Sequence, residues 1–428
     1  MSNVSKVAYV GVCFTMLFTA YIPAQNLVSK IYANQYPGLG QACLFTIFLF
    51  QAIGSVFASH IKRKLTHRVA FLIGAVAYCS FVVVATWTAY CDKNYSSINI
   101  DGQGPALCKS ANIVLLNVGS CLLVGLGAAL LWLTQSVYVN TCSTEQTVGL
   151  CNSIFWSLMQ MSQIVGSGLA TLLLGNDGPL NFFKILVCFG IVAVCVFAFL
   201  PHVESKQEAN IEEVDESLSK SLKKFFEALT RRDATFLFIP MTLIGTTIAF
   251  YATFLFKVTN ATVDPSDLAK QSYVLLAIAF GEVAAGLSVG RLADKFSKLS
   301  LLHATIALPE LALILTFLAK QFTNYHLVLA AAFIWGFSDT SLNTMLTAVI
   351  GSFYGGSLEL FSIMRSLTGV GVVIGAALAL LVPDVYMYMF VTAGFIGLLH
   401  FVFLAVRVDK SKTEPVNDYA SLHDDSKC

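Results

Sequence analysis

Apolar runs of about 20 residues, each closed by a short polar break, recur along the whole of this 428-residue chain. A helix of that length crosses the hydrocarbon core of a bilayer. The runs fall at 5–25, 39–60, 69–90, 111–136, 147–174 and 182–200. They resume at 235–256, 271–290, 300–319, 326–349, 360–382 and 386–407. Six predicted spans, a polar interruption and six more spans make two halves of equal count. The interruption, VESKQEANIEEVDESLSKSLKKFFEALTRRD, spaces Leu218, Leu222, Phe225, Phe226 and Leu229 at helical intervals. That spacing predicts an amphipathic helix on the membrane surface. The expected organisation is a first bundle at 1–200, a linker at 201–234, a second bundle at 235–407 and a tail at 408–428. No small-residue cleavage site follows the first run, so it reads as a retained span.

Composition excludes the soluble alternative. Hydrophobic residues make up 56% of the chain and charged ones 12%, and Phe alone occurs 33 times. The net charge of +1 is not gathered into the basic clusters that nucleic-acid binding needs. The expected class is an all-α membrane protein, its principal partner the lipid bilayer.

Charge then orients it. With the N-terminus cytoplasmic, 18 of the 26 Lys and Arg residues fall on the cytoplasmic side, seven on the other, and Arg365 inside a span. The positive-inside rule favours that arrangement, with both termini cytoplasmic. The sequons at Asn94 (NYS) and Asn260 (NAT) then lie on the opposite face, where glycosylation takes place. Cys91 and Cys108 share one polar loop on that face. They pair as a disulfide if the compartment is oxidising, and otherwise stay free thiols.

Polar residues inside spans are the candidate chemistry, because the bilayer makes them expensive. On the fifth span Asn152, Trp156, Gln160, Gln163 and Ser167 share one helical face. That face is either a cavity wall or a helix–helix hydrogen-bonding surface. On the fourth span Trp132, Gln135 and Tyr138 recur every third residue. Tyr138 reads as an interfacial anchor, while Trp132 and Gln135 are open between anchor and cavity. Charges inside spans are lopsided: none lies between Val7 and Ser29 or between Ile31 and Ile61, whereas the second half holds Glu282, Glu310, Asp339 and Arg365. Trp335, Asp339 and Asn343 share a face at i, i+4 and i+8. Helical rise puts Glu282 and Asp339 roughly 12–15 Å above the polar ends of their spans and Arg365 roughly 9 Å, within reach of one acid. The set is either a proton-coupled site or a structural ion pair with a neutral acid. Glu310 follows Pro309 and is the least suited of the acids to bind a ligand. No Walker A motif, dinucleotide fingerprint, HExxH or paired-cysteine metal spacing occurs, so no enzyme activity, cofactor or metal is expected.

The stretch GRLADKFSK between the eighth and ninth spans resembles the G-x-L-A-D-(R/K)-x-G-(R/K) signature of the major facilitator superfamily. Gly290, Asp294, Lys295 and Lys298 match it, and Ser297 replaces the usual glycine. The corresponding place in the first half reads HIKRKLTHR, with no acid. Five further stretches are similar to the uncoordinated-93-like family, its smaller major-facilitator-domain members in particular. These are FTAYIPAQNLVS (18–29), GLGAALLWLTQSVYVN (125–140), NSIFWSLMQMSQIVG (152–166), GFSDTSLNTM (336–345) and LFSIMRS (360–366). The acid-free first loop is common in that family. The resemblance implies twelve transmembrane helices in two pseudo-symmetric six-helix bundles around a central cavity, with the Asp294 loop acting as a hinge or gate. It implies one of two roles. One is an orphan solute transporter, with Asn152, Trp156, Gln160, Gln163, Gln135, Asp339 and Asn343 lining the cavity and a small solute as its partner. The other is a non-transporting regulatory or trafficking subunit of an ion channel or membrane receptor.

Overall fold

The computed structural model describes residues 2–31, 36, 38–100, 105–174, 178–203, 217–264, 268–382 and 384–413. Expectations for linker residues 204–216 and for the tail from 414 onward fall outside the described residues. The chain is helical almost throughout. The first bundle comprises α1 (Asn3–Ile31), α2 (Leu39–Arg63), α3 (His67–Ile100), α4 (Ser110–Thr141), α5 (Val148–Leu174) and α6 (Gly178–Ala198). A linker helix follows, α7 (Leu218–Leu229). The seventh span is α8 (Thr235–Phe250), a π-helical turn at Tyr251–Leu255 and α9 (Phe256–Thr262). The remaining spans are α10 (Leu268–Lys295), α11 (Lys298–Ile306) with α12 (Leu308–Gln321), α13 (Tyr325–Phe353), α14 (Leu358–Leu381) and α15 (Val385–Thr413). Among the described residues nine helical segments are long and apolar enough to cross a membrane. The helices α5, α13 and α15 are not among them, α15 offering only the shorter apolar stretch Val391–Ala405. Of these, α5 and α13 carry the polar faces noted above. Helices open to lipid cannot afford such a face.

Each bundle has a core, and that of the second runs across the seam to Ala58 of α2 and to Ala129, Leu133 and Val137 of α4. In the first, Phe14 is fully buried, with its ring centroid 4.9–5.8 Å from those of Phe18, Phe71, Trp132, Phe155 and Phe197. Tyr138 also lies in this core and not at an interface: it is 0% exposed, and its hydroxyl donates to the carbonyl of Pro201 at 3.0 Å. The every-third-residue pattern on α4 therefore marks a tightly packed helix, not a belt of anchors. In the second core Trp335 is 0% exposed, stacks near Phe250 and donates to Thr316. Glu310 sits at the edge of this bundle, 2.8 Å from His400 on α15. Cys91 and Cys108 form a disulfide joining the end of α3 to the turn before α4, with Cα atoms 5.3 Å apart. Asn94 and Asn260 are both exposed on helices; Asn94 donates to Tyr90 O, and Asn260 accepts from Gln271.

The two bundles close on each other at the end that carries the linker. There α5 packs along α10, and α2 along α14. Backbones approach so closely at α5–α10 that a Cβ added to Gly290 would lie 2.2 Å from the carbonyl oxygen of Gly149. This approach brings Asp294 onto the N-terminus of α5: Oδ1 accepts from Gly149 N at 2.9 Å and Oδ2 from Leu150 N at 2.7 Å. The first N–H groups of a helix have no internal partners and carry partial positive charge, which a carboxylate satisfies. Lys295 beside it is exposed and Lys298 opens α11.

The pseudo-equivalent contact explains the acid-free loop HIKRKLTHR. Its Arg63 forms an ion pair with Glu359, which lies in the first turn of α14, where Ser357 caps the backbone N–H of Leu360. In one half the loop supplies the acid; in the other the acid resides on the receiving helix and the loop supplies the base. The linker helix bridges both sides of this seam. Phe225 is buried, Ser221 is 3.0 Å from His60 on α2, and α7 packs on both α2 and α14.

Two measurements test this account. Phe14→Ala removes the hub of the first core and should lower stability by about 3 kcal/mol, read as a lower thermal midpoint in detergent. Asp294→Asn halves the α5 cap and should weaken closure by about 1 kcal/mol, roughly fivefold in the closed-to-open ratio. Spin labels at positions 64 and 296 should report a longer-distance population in that variant. Glu359→Arg should produce the same population, and adding Arg63→Glu should reverse it.

Candidate functional site

Above the seam the bundles separate around a central cavity of about 190 Å³. Helical rise locates its floor: Arg365 lies seven residues into α14, about 10 Å from the linker end. The cavity extends from there toward the far end, to Gln25 on α1 and Leu275 on α10. Residues of the seam do not line it.

The wall from the first bundle is aromatic and carries amides. Phe18 and Tyr21 come from α1, Gln51 from α2, Tyr78 from α3, Trp132 from α4, and Trp156, Gln160 and Gln163 from α5. The rings brace one another. Trp132 and Trp156 stack with centroids 5.6 Å apart, Tyr21 meets Tyr78 edge-on at 4.5 Å, and Trp132 Nε1 donates to Tyr78 Oη at 3.1 Å. Rings from four helices thus hold one another in place.

The wall from the second bundle carries the charges: Glu282 on α10, Asp339 and Asn343 on α13, and Arg365 on α14, together with Tyr251 from the π-helical turn. A π-turn widens the helix by one residue and re-aims its side chains, which is why such turns recur at functional sites. Here it points Tyr251 into the cavity of a span with no other irregularity at that height.

Contacts across the cavity are polar. Gln163 Nε2 donates to Glu282 Oε2 at 2.5 Å, and Gln160 Nε2 to Thr340 Oγ1 at 3.2 Å. Arg365 donates to Ser136 Oγ at 2.9 Å, with longer contacts of 3.4 Å to Gln135 Oε1 and Asn343 Oδ1. Its guanidinium also lies 5.2 Å from the ring centre of Trp132, a cation–π contact.

Sequence spacing and geometry can now be compared residue by residue. Of the fifth-span stripe, Trp156, Gln160 and Gln163 line the cavity, whereas Asn152 lies lower and donates to Val148 O in its own helix. Gln135 is behind the wall, in contact with Arg365. Asp339 and Asn343 line the cavity together and share a 3.2 Å hydrogen bond. Arg365 does not pair with an acid: its described hydrogen-bond partners are all neutral. Depth alone suggested an ion pair, but it ignored that Asn343 stands between Arg365 and Asp339 on the same face of α13.

Tyr78, Tyr251, Ser136 and Gln51 escaped the sequence reading. Tyr78 has no periodic polar companion on its span, and Ser136 lies beside Gln135, off the Trp132–Gln135–Tyr138 pattern. Only the pairing of elements across the seam brings them to the site.

Relatives place this geometry in context. Residues 7–359 match the model of the Major Facilitator Superfamily. The UNC93-like protein MFSD11 of Xenopus laevis is 22% identical over 456 residues, covering 93% of this chain and 95% of that protein. Protein unc-93 homolog A of Mus musculus is 28% identical over 184 residues, 41% of this chain and 35% of that one. Among solved structures, a bacterial homologue of the iron transporter ferroportin in an outward-facing state aligns with a TM-score of 0.69 at 12% identity, covering 95% of this chain and all of that one. The E. coli fucose:proton symporter aligns at 0.64 and 13%, covering 95% and 99%. At such identities these likenesses show the fold alone. Taken with the two bundles, the seam and the cavity between them, the matches show that the chain belongs to the Major Facilitator Superfamily and is a multi-pass integral membrane protein of transporter type.

Proposed function

We propose that this protein moves a small solute across its membrane by alternating access, with the linker end cytoplasmic and closed in the state described here. The observation that carries the reading is the position of the cavity. It holds charged and aromatic groups at mid-bundle, bounded on one side by a seam built from separable polar contacts. The Asp294 cap and the Arg63–Glu359 pair are partly open to water, so each contributes about 1 kcal/mol. A seam of that strength opens when a ligand binds one state a few kcal/mol better than the other. The two bundles then rock against each other as rigid bodies.

Glu282 and Asp339 are the acids that line the cavity, and on this reading they couple transport to protons. The Lys and Arg excess on the linker end supports a cytoplasmic placement.

Purified protein in proteoliposomes, offered a defined mixture of amino acids, sugars, organic acids and amines, should accumulate a subset of them, detected by mass spectrometry. Asp339→Asn should move the pH profile of that uptake; an unchanged rate at every pH would remove Asp339 as the coupling group. The accessory role makes the opposite forecast. Native purification would recover a channel or receptor in near-equal amount, and the proteoliposomes would accumulate none of the mixture.

A further inference from the structure

We infer that the central cavity takes a small zwitterion, its carboxylate on Arg365, its ammonium on Asp339 and its apolar body against the aromatic wall of the first bundle. The inference rests on the transporter reading for its biological sense, but its chemistry stands on the side chains themselves.

Arg365 is 4% exposed, and its Nε has no hydrogen-bond partner. Its strongest described contact is a neutral hydroxyl, that of Ser136. Asp339 acts on this guanidinium only from beyond ion-pair range, and in a membrane interior such a cation favours an anion as a direct partner. A planar carboxylate fits the guanidinium fork better than a spherical anion does.

The acids supply the opposite requirement. Glu282 is fully buried, Gln163 binds its Oε2, and its Oε1 has no hydrogen-bond partner. Asp339 is 6% exposed and is bonded by Asn343. Among the described residues no Lys or Arg forms an ion pair with either acid. A cavity with an unpaired base on its floor and unpaired acids above it is complementary to a molecule carrying both charges.

Spacing narrows the class. The Asn343 amide lies 3.4 Å from Arg365 on one side and 3.2 Å from Asp339 on the other, so the two charged groups stand within about 9 Å of each other. Two hydrogen bonds of about 2.8 Å plus two or three covalent bonds span that interval. The charges of the ligand are therefore close together, as in an α- or β-amino acid. Across the cavity Phe18, Tyr21 and Trp156 present ring surface, and Trp156 Nε1 is an unused donor. The cavity volume, about 190 Å³, suits a single small molecule.

The test is binding to the full-length protein in nanodiscs, with no gradient and no uptake step. Two sets of near-isosteric probes are used. One is leucine, 3-methylbutylamine and 4-methylpentanoate; the other is phenylalanine, phenethylamine and 3-phenylpropionate. Tryptophan fluorescence reports occupancy next to Trp132 and Trp156, and thermal shift reports it independently.

In at least one set the zwitterion should bind about tenfold or more tighter than either singly charged analogue, since a site built for a polar group rejects a ligand that lacks it. Arg365→Gln should erase the preference over the amine, and Asp339→Asn the preference over the acid. Arg365→Lys should retain part of the first preference. If Arg365→Gln does not fold, the Asp339→Asn arm decides the matter alone.

An amine or acid that binds as tightly as its zwitterion overturns the inference, and so does a preference that survives both substitutions. Absence of binding by both zwitterions at millimolar concentration overturns it as well. The two readings fail separately. Selective zwitterion binding without uptake would remove the transporter and leave the site. Uptake of sugars or simple ions with no zwitterion binding would remove the site and leave the transporter.

Discussion

The carboxylate of Asp294 crosses from one bundle to the other and sits on the open N–H groups of α5. Much of the observed arrangement follows from that contact. To make it, α10 must lie against α5 with almost no side-chain volume between them, which is what Gly149 and Gly290 permit. Further up, both helices contribute to the cavity wall, α5 through Trp156, Gln160 and Gln163 and α10 through Leu275, Ile278 and Glu282. The same helices thus carry the latch at one end and Gln163 facing Glu282 further up.

Charge is distributed unequally between the bundles, and the inequality has a mechanical meaning. The first bundle offers rings and amides, groups that need no counter-ion and lose little when a cavity dries. The second holds Glu282, Asp339 and Arg365, whose electrostatic needs change with what occupies the cavity. One wall is therefore a fixed surface and the other is the responsive one. The amides of α5 couple them, because Gln160 and Gln163 reach across to Thr340 and Glu282.

Most of the architecture was legible before any coordinates were considered. Apolar runs of spanning length and one long polar break carry that information directly, since a bilayer punishes every departure from it. Half of the site was legible too. Trp156, Gln160 and Gln163 announce themselves by sharing a face, as do Asp339 and Asn343. Tyr78 and Tyr251 could not be found this way. Their relevance comes from which helices meet and, for Tyr251, from a π-turn that has no Pro or Gly to mark it. Tyr138 misled because ring spacing near a span end looks the same whether the rings face headgroups or a neighbouring helix.

The Arg63–Glu359 pair shows what a motif search misses even where the physics is conserved. Searching the first loop for an acid finds none and suggests that the latch is lost. The requirement, however, is not for an acid in a loop but for negative charge at the start of the facing helix. Glu359 meets it from within α14, and Arg63 then becomes the group that must cross the seam. The two latches differ in what breaks them. The Asp294 contact is a carboxylate on two backbone amides. The Arg63–Glu359 contact joins two partly exposed side chains, so salt screens it and it weakens first as ionic strength rises. The seam is therefore asymmetric in its response, with the α2–α14 side the more readily opened.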